Sequence, residues 1–177
     1  MRFSKQVRAN VAVITAFLAV LVSTGRGETI YYAVSHGKNL ARQDWHAGDL
    51  DAFTANRPEN VYDLYTLQRQ SDGKAKVSRD MSSPSGDWFL RLTYLYGKDG
   101  RLTRIDYDFS AFHAHCSCGA RGPARSQRLY RVDTFGRLHK ISETVTDLNG
   151  GNRVNWSFDE PTIRHWAKLT DLPVKPR

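Results

Sequence analysis

Cysteine is scarce in this sequence, whose 177 residues include only Cys116 and Cys118. Small exported domains that depend on disulfides carry them at high density. Two cysteines therefore exclude a disulfide framework as the basis of the fold. Burial of apolar side chains must supply most of the stability instead.

Long apolar runs are also lacking, and the longest covers residues 11–22. A membrane-spanning helix needs about 20 such residues. Basic residues precede the run and small residues follow it: Arg2, Lys5 and Arg8, then Ser23, Thr24, Gly25 and Gly27. This order is typical of a cleavable secretion signal. We predict a signal peptide over residues 1–27, with an uncleaved anchor as the alternative, and a periplasmic or secreted location for the rest.

Familiar catalytic motifs are missing as well. The sequence has no Gly-x-Ser-x-Gly elbow, no His-Glu-x-x-His pair, no phosphate loop and no dinucleotide fingerprint. These absences favour a binding protein over an enzyme.

The charge of the chain is +8, but the predicted signal carries four basic residues and no acid, which leaves +4 for the mature part. From Gly119 onward there are eleven basic residues and six acids. This bias favours anionic partners such as an envelope polymer. The basic residues are spread over segments of mixed charge, so no nucleic-acid partner is expected.

Alternating apolar residues dominate the middle of the chain. One set occupies every second position from Trp88 to Tyr96, and a second set comprises Thr103, Ile105, Tyr107 and Phe109. Side chains two residues apart share one face of a strand. Asp99-Gly100 between the two sets favours a tight turn. The pattern predicts a hairpin with one apolar face.

Similar patterns predict hairpins over residues 61–80 and 128–147. Short helices are expected at residues 49–55 and 159–169, the second because Pro161 suits a first helical turn. The predicted fold class is α+β, mainly β: an antiparallel meander of about six to seven strands with short N- and C-terminal helices. Residues 28–60 would pack on the sheet as strand, loop and short helix, residues 61–172 would form the β domain with its C-terminal helix, and residues 173–177 would be a loose tail.

Two of these hairpins share a weak repeat. Residues 92–105 and 129–141 both contain Gly-Arg-Leu-x-x-Ile after an aromatic, Asp-containing strand. The unit resembles the hairpin of YD-repeat (rearrangement-hotspot) shell proteins. The resemblance implies strand-turn-strand in both places and carries no implication for function.

Two histidines and two cysteines are concentrated in one short segment: His113, His115, Cys116 and Cys118. Imidazole and thiolate are ligands that Zn and Cu prefer, so a metal site is one hypothesis. An extended strand would place the histidines and the thiols on opposite faces. A labile Cys116–Cys118 disulfide is the favoured interpretation in an oxidising compartment, and free thiols are a third.

A second polar cluster precedes the predicted β domain and contains His36, Asp44, His46, Asp49 and Asp51. It could bind a cation or serve acid–base chemistry. Trp45 is the one tryptophan in a polar stretch, and Arg121 and Arg125 belong to the basic part of the chain. We predict these last three as candidate binding residues.

Together these features predict an exported, non-catalytic binding or accessory domain whose partner is a protein or an anionic envelope polymer. No cofactor is expected under this hypothesis. The alternative is a metal-binding or thiol-redox protein that uses the His/Cys segment with Zn or Cu. A third hypothesis is a small secreted hydrolase with its site between His36 and Asp51.

Overall fold

A computed structural model describes residues 29–36, 39–116, 119 and 121–174; the predicted signal lies outside them. Eight antiparallel strands form one sheet in this part of the chain, so the mainly β prediction is confirmed and the predicted strand number was low. The strands are β1 (Thr29–His36), β2 (Asn39–Asp49), β3 (Val61–Arg69), β4 (Ala75–Ser82), β5 (Trp88–Tyr96), β6 (Leu102–His115), β7 (Arg121–Val132) and β8 (Leu138–Asp147). One α-helix, α1 (Leu50–Ala55), follows β2, and a 3-10 helix covers Leu169–Asp171.

The strand order is β2-β1-β3-β4-β5-β6-β7-β8, a meander in which β1 lies between β2 and β3. The β2 residues were predicted as polar loop, yet they pair with β1 from Thr29↔Asp49 to His36↔Asn39. An edge strand needs only one backbone partner, and residues 44–49 stay exposed. Polar composition therefore did not prevent strand formation here.

One face of the sheet carries the main core. Five large aromatic side chains on it are almost fully buried: Tyr65, Tyr94, Tyr96, Tyr107 and Phe109. The predicted alternation of β5 is confirmed. On β6, Thr103 was expected in the core, but a β-bulge pairs Tyr96 with Leu102 and leaves Thr103 exposed. The bulge shifts the phase of the strand by one residue.

Residues 153–174, which we call the strap, cross this core face. The predicted C-terminal helix was wrong: among residues 159–169 only Leu169 begins a helical turn. The hydroxyls of Tyr94 and Tyr96 donate to the carbonyls of Arg164 (2.8 Å) and Trp166 (3.4 Å). A helix would use these carbonyls internally. Hydrogen bonding of these carbonyls to tyrosine and the partial burial of Trp166 favour an extended chain.

An ion pair also fastens the strap. The Arg128 guanidinium of β7 donates two hydrogen bonds to Glu160, one of them at 2.6 Å, and a third to Glu143 of β8. Beyond Glu160, Leu172 and Val174 at the end of the strap are buried in the core. The strap therefore covers the aromatic face along its length.

The opposite face of the sheet, which we call the open face, carries α1. The carboxylate of Asp49 caps this helix by accepting the N–H groups of Asp51 and Ala52, and Phe53 packs with Ile30 and Leu64. The helix covers β1 and β3 and leaves the neighbouring strands uncovered. Within the described residues, we find no helix with the length and apolarity to cross a membrane.

Candidate functional site: a groove on the open face

A groove of about 190 Å³ lies beside α1, across β3 to β6. Cross-strand register identifies its face, because Leu64, Asp80 and Arg91 are consecutive partners in one row. Directly paired residues share a face of an antiparallel sheet. This row belongs to the open face. The lining also includes Met81, Trp88 and Ala111, which pack against the main core, so the groove adjoins the edge of that core.

The walls of the groove are mainly apolar. Leu64 and Phe89 come from the strands, Phe112 from the bulged end of β6, and Leu148 from the turn after β8. Leu148 is 39% exposed. Exposed apolar side chains gathered around one concave surface are typical of a binding site.

An ion pair lies at the bottom of the groove. Arg91 Nε donates to Asp80 Oδ1 at 2.7 Å and Nη2 donates to Oδ2 at 2.8 Å, and both side chains are at most one quarter exposed. The hydrogen bond to Asp80 raises the pKa of Arg91. Arg91 also lies 5.6 Å from the centre of the Phe89 ring. The ion pair therefore holds Arg91 against Phe89, which forms one apolar wall of the groove.

The ion pair continues beyond the groove as a ladder of alternating charges. Asp108 of β6 is the cross-strand partner of Arg91, and Arg125 of β7 donates to both carboxylate oxygens of Asp108. The predicted binding residue Arg125 is thus engaged with a neighbouring strand. Because the charges alternate, the ladder has no net charge to attract an anionic polymer.

Two charged residues at the rim keep most of their polar groups available. Arg57 uses one N–H to bond the Val61 carbonyl at 3.2 Å, and Asp87 accepts the Ser85 hydroxyl at 2.5 Å. Neither forms an ion pair within the part of the chain that the structure describes. The rim therefore offers one cation and one anion to a ligand.

The other predicted binding residues lie away from the groove. Trp45 is 42% exposed on β2, and its ring centre lies 5.6 Å from that of Tyr65 on the core face. Arg121 is exposed at the start of β7, where it pairs with His115. The structure does not bring these two residues together with Arg125 into one site.

The His/Cys segment lies at the end of β6. His113 and His115 are exposed, Ala114 between them is buried, and Cys116 is half-buried. The described residues contain no group of three or more His, Cys, Asp or Glu side chains placed to hold a metal ion. Cys118 lies outside the described residues, so the four-ligand site and the Cys116–Cys118 disulfide stay predictions.

The second polar cluster is spread over β1, β2 and α1. His36 ends β1 and Asp44 lies within β2. His46 stacks on Tyr32, with ring centres 5.3 Å apart. Asp49 caps α1, and Asp51 contributes its backbone N–H to that cap. Helix capping and ring stacking account for Asp49 and His46, and the hydrolase hypothesis stays a prediction.

Sequence reasoning missed the groove, although one signal was present. Phe89 and Leu95 occupy positions of β5 that alternate with the core set and should face water. Apolar residues in that phase indicate that the second face is also covered or used for binding. No sequence pattern indicated that Leu148 contributes to the groove, because its contribution depends on where the tertiary fold places the turn after β8.

Comparisons with known proteins give no relative: no protein-family model, curated protein or solved structure matches the chain.

Proposed function

We propose that this chain is an exported, non-catalytic protein-binding domain, and that the groove on the open face receives an apolar side chain of the partner. One observation carries the proposal: apolar walls enclose a space that no side chain of the described protein fills. Burying apolar surface there would contribute about 25 cal/mol for each Å² removed from water.

The size of the groove supports a side chain as the occupant. A cavity of about 150 Å³ admits benzene, and the groove measures about 190 Å³. Pockets for drug-sized molecules are larger, from about 300 Å³. Protein interfaces commonly place one aromatic or aliphatic anchor in a central pocket of this kind.

The surroundings of the groove favour a protein over an anionic polymer. Within the Asp80–Arg91 and Asp108–Arg125 pairs, which extend across four strands, each arginine charge is balanced by an aspartate charge. A sugar or phosphate polymer would find little net positive charge and an apolar surface. The predicted signal peptide supports a partner outside the cytoplasm.

Titration with indole, followed by amide resonances of the isotopically labelled protein, tests the proposal. We expect saturable shifts confined to groove residues such as Leu64, Arg91 and Ser110. Ser110→Phe should fill the groove and abolish these shifts. Thr93→Phe, on the same face but outside the groove lining, is the matched control and should leave them unchanged. Indole shifts that persist in Ser110→Phe would refute the groove as the binding site.

A further inference from the structure

The tip of the β7–β8 hairpin presents an aromatic side chain to solvent. Phe135 is 84% exposed. Its N–H and that of Arg137 donate to Asp133 Oδ1, both at 2.9 Å, and Gly136 adopts φ +81°. The aspartate thus holds the turn in one conformation, which suits a projecting anchor because little entropy is lost on binding.

We propose that this chain associates head to tail with a second copy of itself, with Phe135 of one copy inserted into the open-face groove of the next. This inference rests on the proposed function, since it names the partner whose side chain enters the groove.

The tip and the groove lie at opposite ends of the sheet, so a copy cannot fill its own groove. At the groove end, Ala111 pairs with Trp88 on one side and with Ala124 on the other. At the tip end, Arg131 of β7 pairs with His139 of β8. The seven residue-to-residue steps from Ala124 to Arg131 span about 23 Å of strand. Phe135 can therefore enter only the groove of another copy.

The Phe135 ring matches the groove in size, and Arg137 beside it is opposite in charge to Asp87 at the rim. A phenyl ring has the dimensions of benzene, which fits a cavity smaller than the groove. The Arg137 guanidinium lies 5.9 Å from the Phe135 ring centre and forms no ion pair among the described residues. Insertion of Phe135 carries this cation to a rim where the Asp87 carboxylate lacks a cationic partner.

The distribution of exposed apolar residues agrees with this contact. Four large hydrophobic side chains are exposed in the described chain: Trp45, Phe135, Ile141 and Leu148. Phe135 and Ile141 belong to the β7–β8 hairpin, and Leu148 forms a wall of the groove. The contact would therefore remove exposed apolar surface at both ends.

The contact is heterologous, because two different surfaces meet. A dimer leaves one tip and one groove free, so assembly either grows with concentration or closes into a ring. One aromatic anchor gives a small interface, and weak association is expected. Sedimentation velocity of the protein, expressed with its own leader and purified after export, should show larger species as concentration rises from micromolar to millimolar.

Two variants that each lose one surface make the test specific. Phe135→Ser removes the tip, Ser110→Phe blocks the groove, and each alone should associate at least about tenfold more weakly than the parent. Mixed together, they should form one-to-one dimers and nothing larger, because one intact tip and one intact groove remain. A mixture that stays monomeric while the parent assembles would overturn the proposal.

Charge reversal provides a second, independent test of self-association. Arg137→Glu and Asp87→Arg should each weaken association, and the two changes in one chain should restore it. Indole titration of the same samples separates the two proposals. A parent that stays monomeric at millimolar concentration, with saturable indole binding, overturns self-association and leaves the proposed function standing. Absence of both self-association and indole binding would refute both proposals.

Discussion

Arg79 and Asp63 face each other from neighbouring strands inside the core, where Nε donates to Oδ1 at 2.9 Å and Nη2 to Oδ2 at 2.6 Å. The guanidinium also lies between two rings, 5.1 Å from the centre of Tyr65 and 5.9 Å from that of Trp166. Trp166 belongs to the strap. One ion pair therefore connects β3, β4 and the strap.

Removing one partner of this pair should be more harmful than removing both. Arg79→Met leaves the Asp63 carboxylate buried without its cation, which should lower the free energy of unfolding by about 3–5 kcal/mol. Arg79→Met with Asp63→Leu should recover most of that loss. Urea unfolding of both variants measures the difference, and equal losses would show that Asp63 reaches water when Arg79 is absent.

The Arg128–Glu160 pair should stabilise the strap measurably. Glu160→Gln weakens two charge-assisted hydrogen bonds at side chains that are less than one fifth exposed, and the expected loss is about 1.5–3 kcal/mol. Asp106→Asn is the control, because its pair with Arg104 is at least 40% exposed and surface pairs contribute about 0–1 kcal/mol. Thermal unfolding compares the two variants. Equal losses of stability would contradict a stabilising role for the Arg128–Glu160 pair.

Local patterns were enough to predict the hairpins. The β5–β6 hairpin follows from alternation on β5 and on β6 from Ile105 onward, and from the Asp99-Gly100 turn, in which Gly100 has a positive φ of +73° and Asp99 does not. The β7–β8 hairpin follows in the same way. Both features are encoded within a few residues, so tertiary contacts are not needed to recognise them.

Features that depend on distant partners were not predicted. The polar residues of β2 form a strand because β1 supplies backbone hydrogen bonds. Residues 159–169 have helical spacing, yet they stay extended because Tyr94 and Tyr96 bind their carbonyls. The groove was missed for the same reason: Leu64 and Phe112 are far apart in sequence, and the sheet brings them to one surface.

Stability should fall steeply above pH 10. Burial raises the pKa of four core tyrosines well above 10: Tyr65, Tyr94, Tyr96 and Tyr107. Above pH 10 the unfolded chain releases these protons and the folded chain keeps them, so rising pH favours unfolding. Each tyrosine should remove about 1.4 kcal/mol per pH unit. Urea unfolding at pH 9, 10 and 11 gives the slope, and Tyr96→Phe should reduce it by one tyrosine's share. An unchanged slope in that variant would contradict burial of the Tyr96 hydroxyl.

Trp166 should be the side chain whose loss most weakens the strap. Its ring centre lies 5.6 Å from that of Tyr94 and 6.0 Å from that of Tyr65, both in edge-on contacts. Trp166→Ala should lower the free energy of unfolding by about 3–5 kcal/mol.

Phe135→Ala, at a side chain that is 84% exposed, is the matched control and should cost less than about 0.5 kcal/mol in the monomer. Hydrogen exchange distinguishes local release from global loss of stability. The Leu102 N–H donates to the Ala167 carbonyl at 2.9 Å, so its protection depends on the strap. Faster exchange of this amide in Trp166→Ala, with the β4–β5 amides still slow, would show that the strap detaches before the sheet unfolds. Uniformly faster exchange would instead show that strap and sheet unfold as one unit.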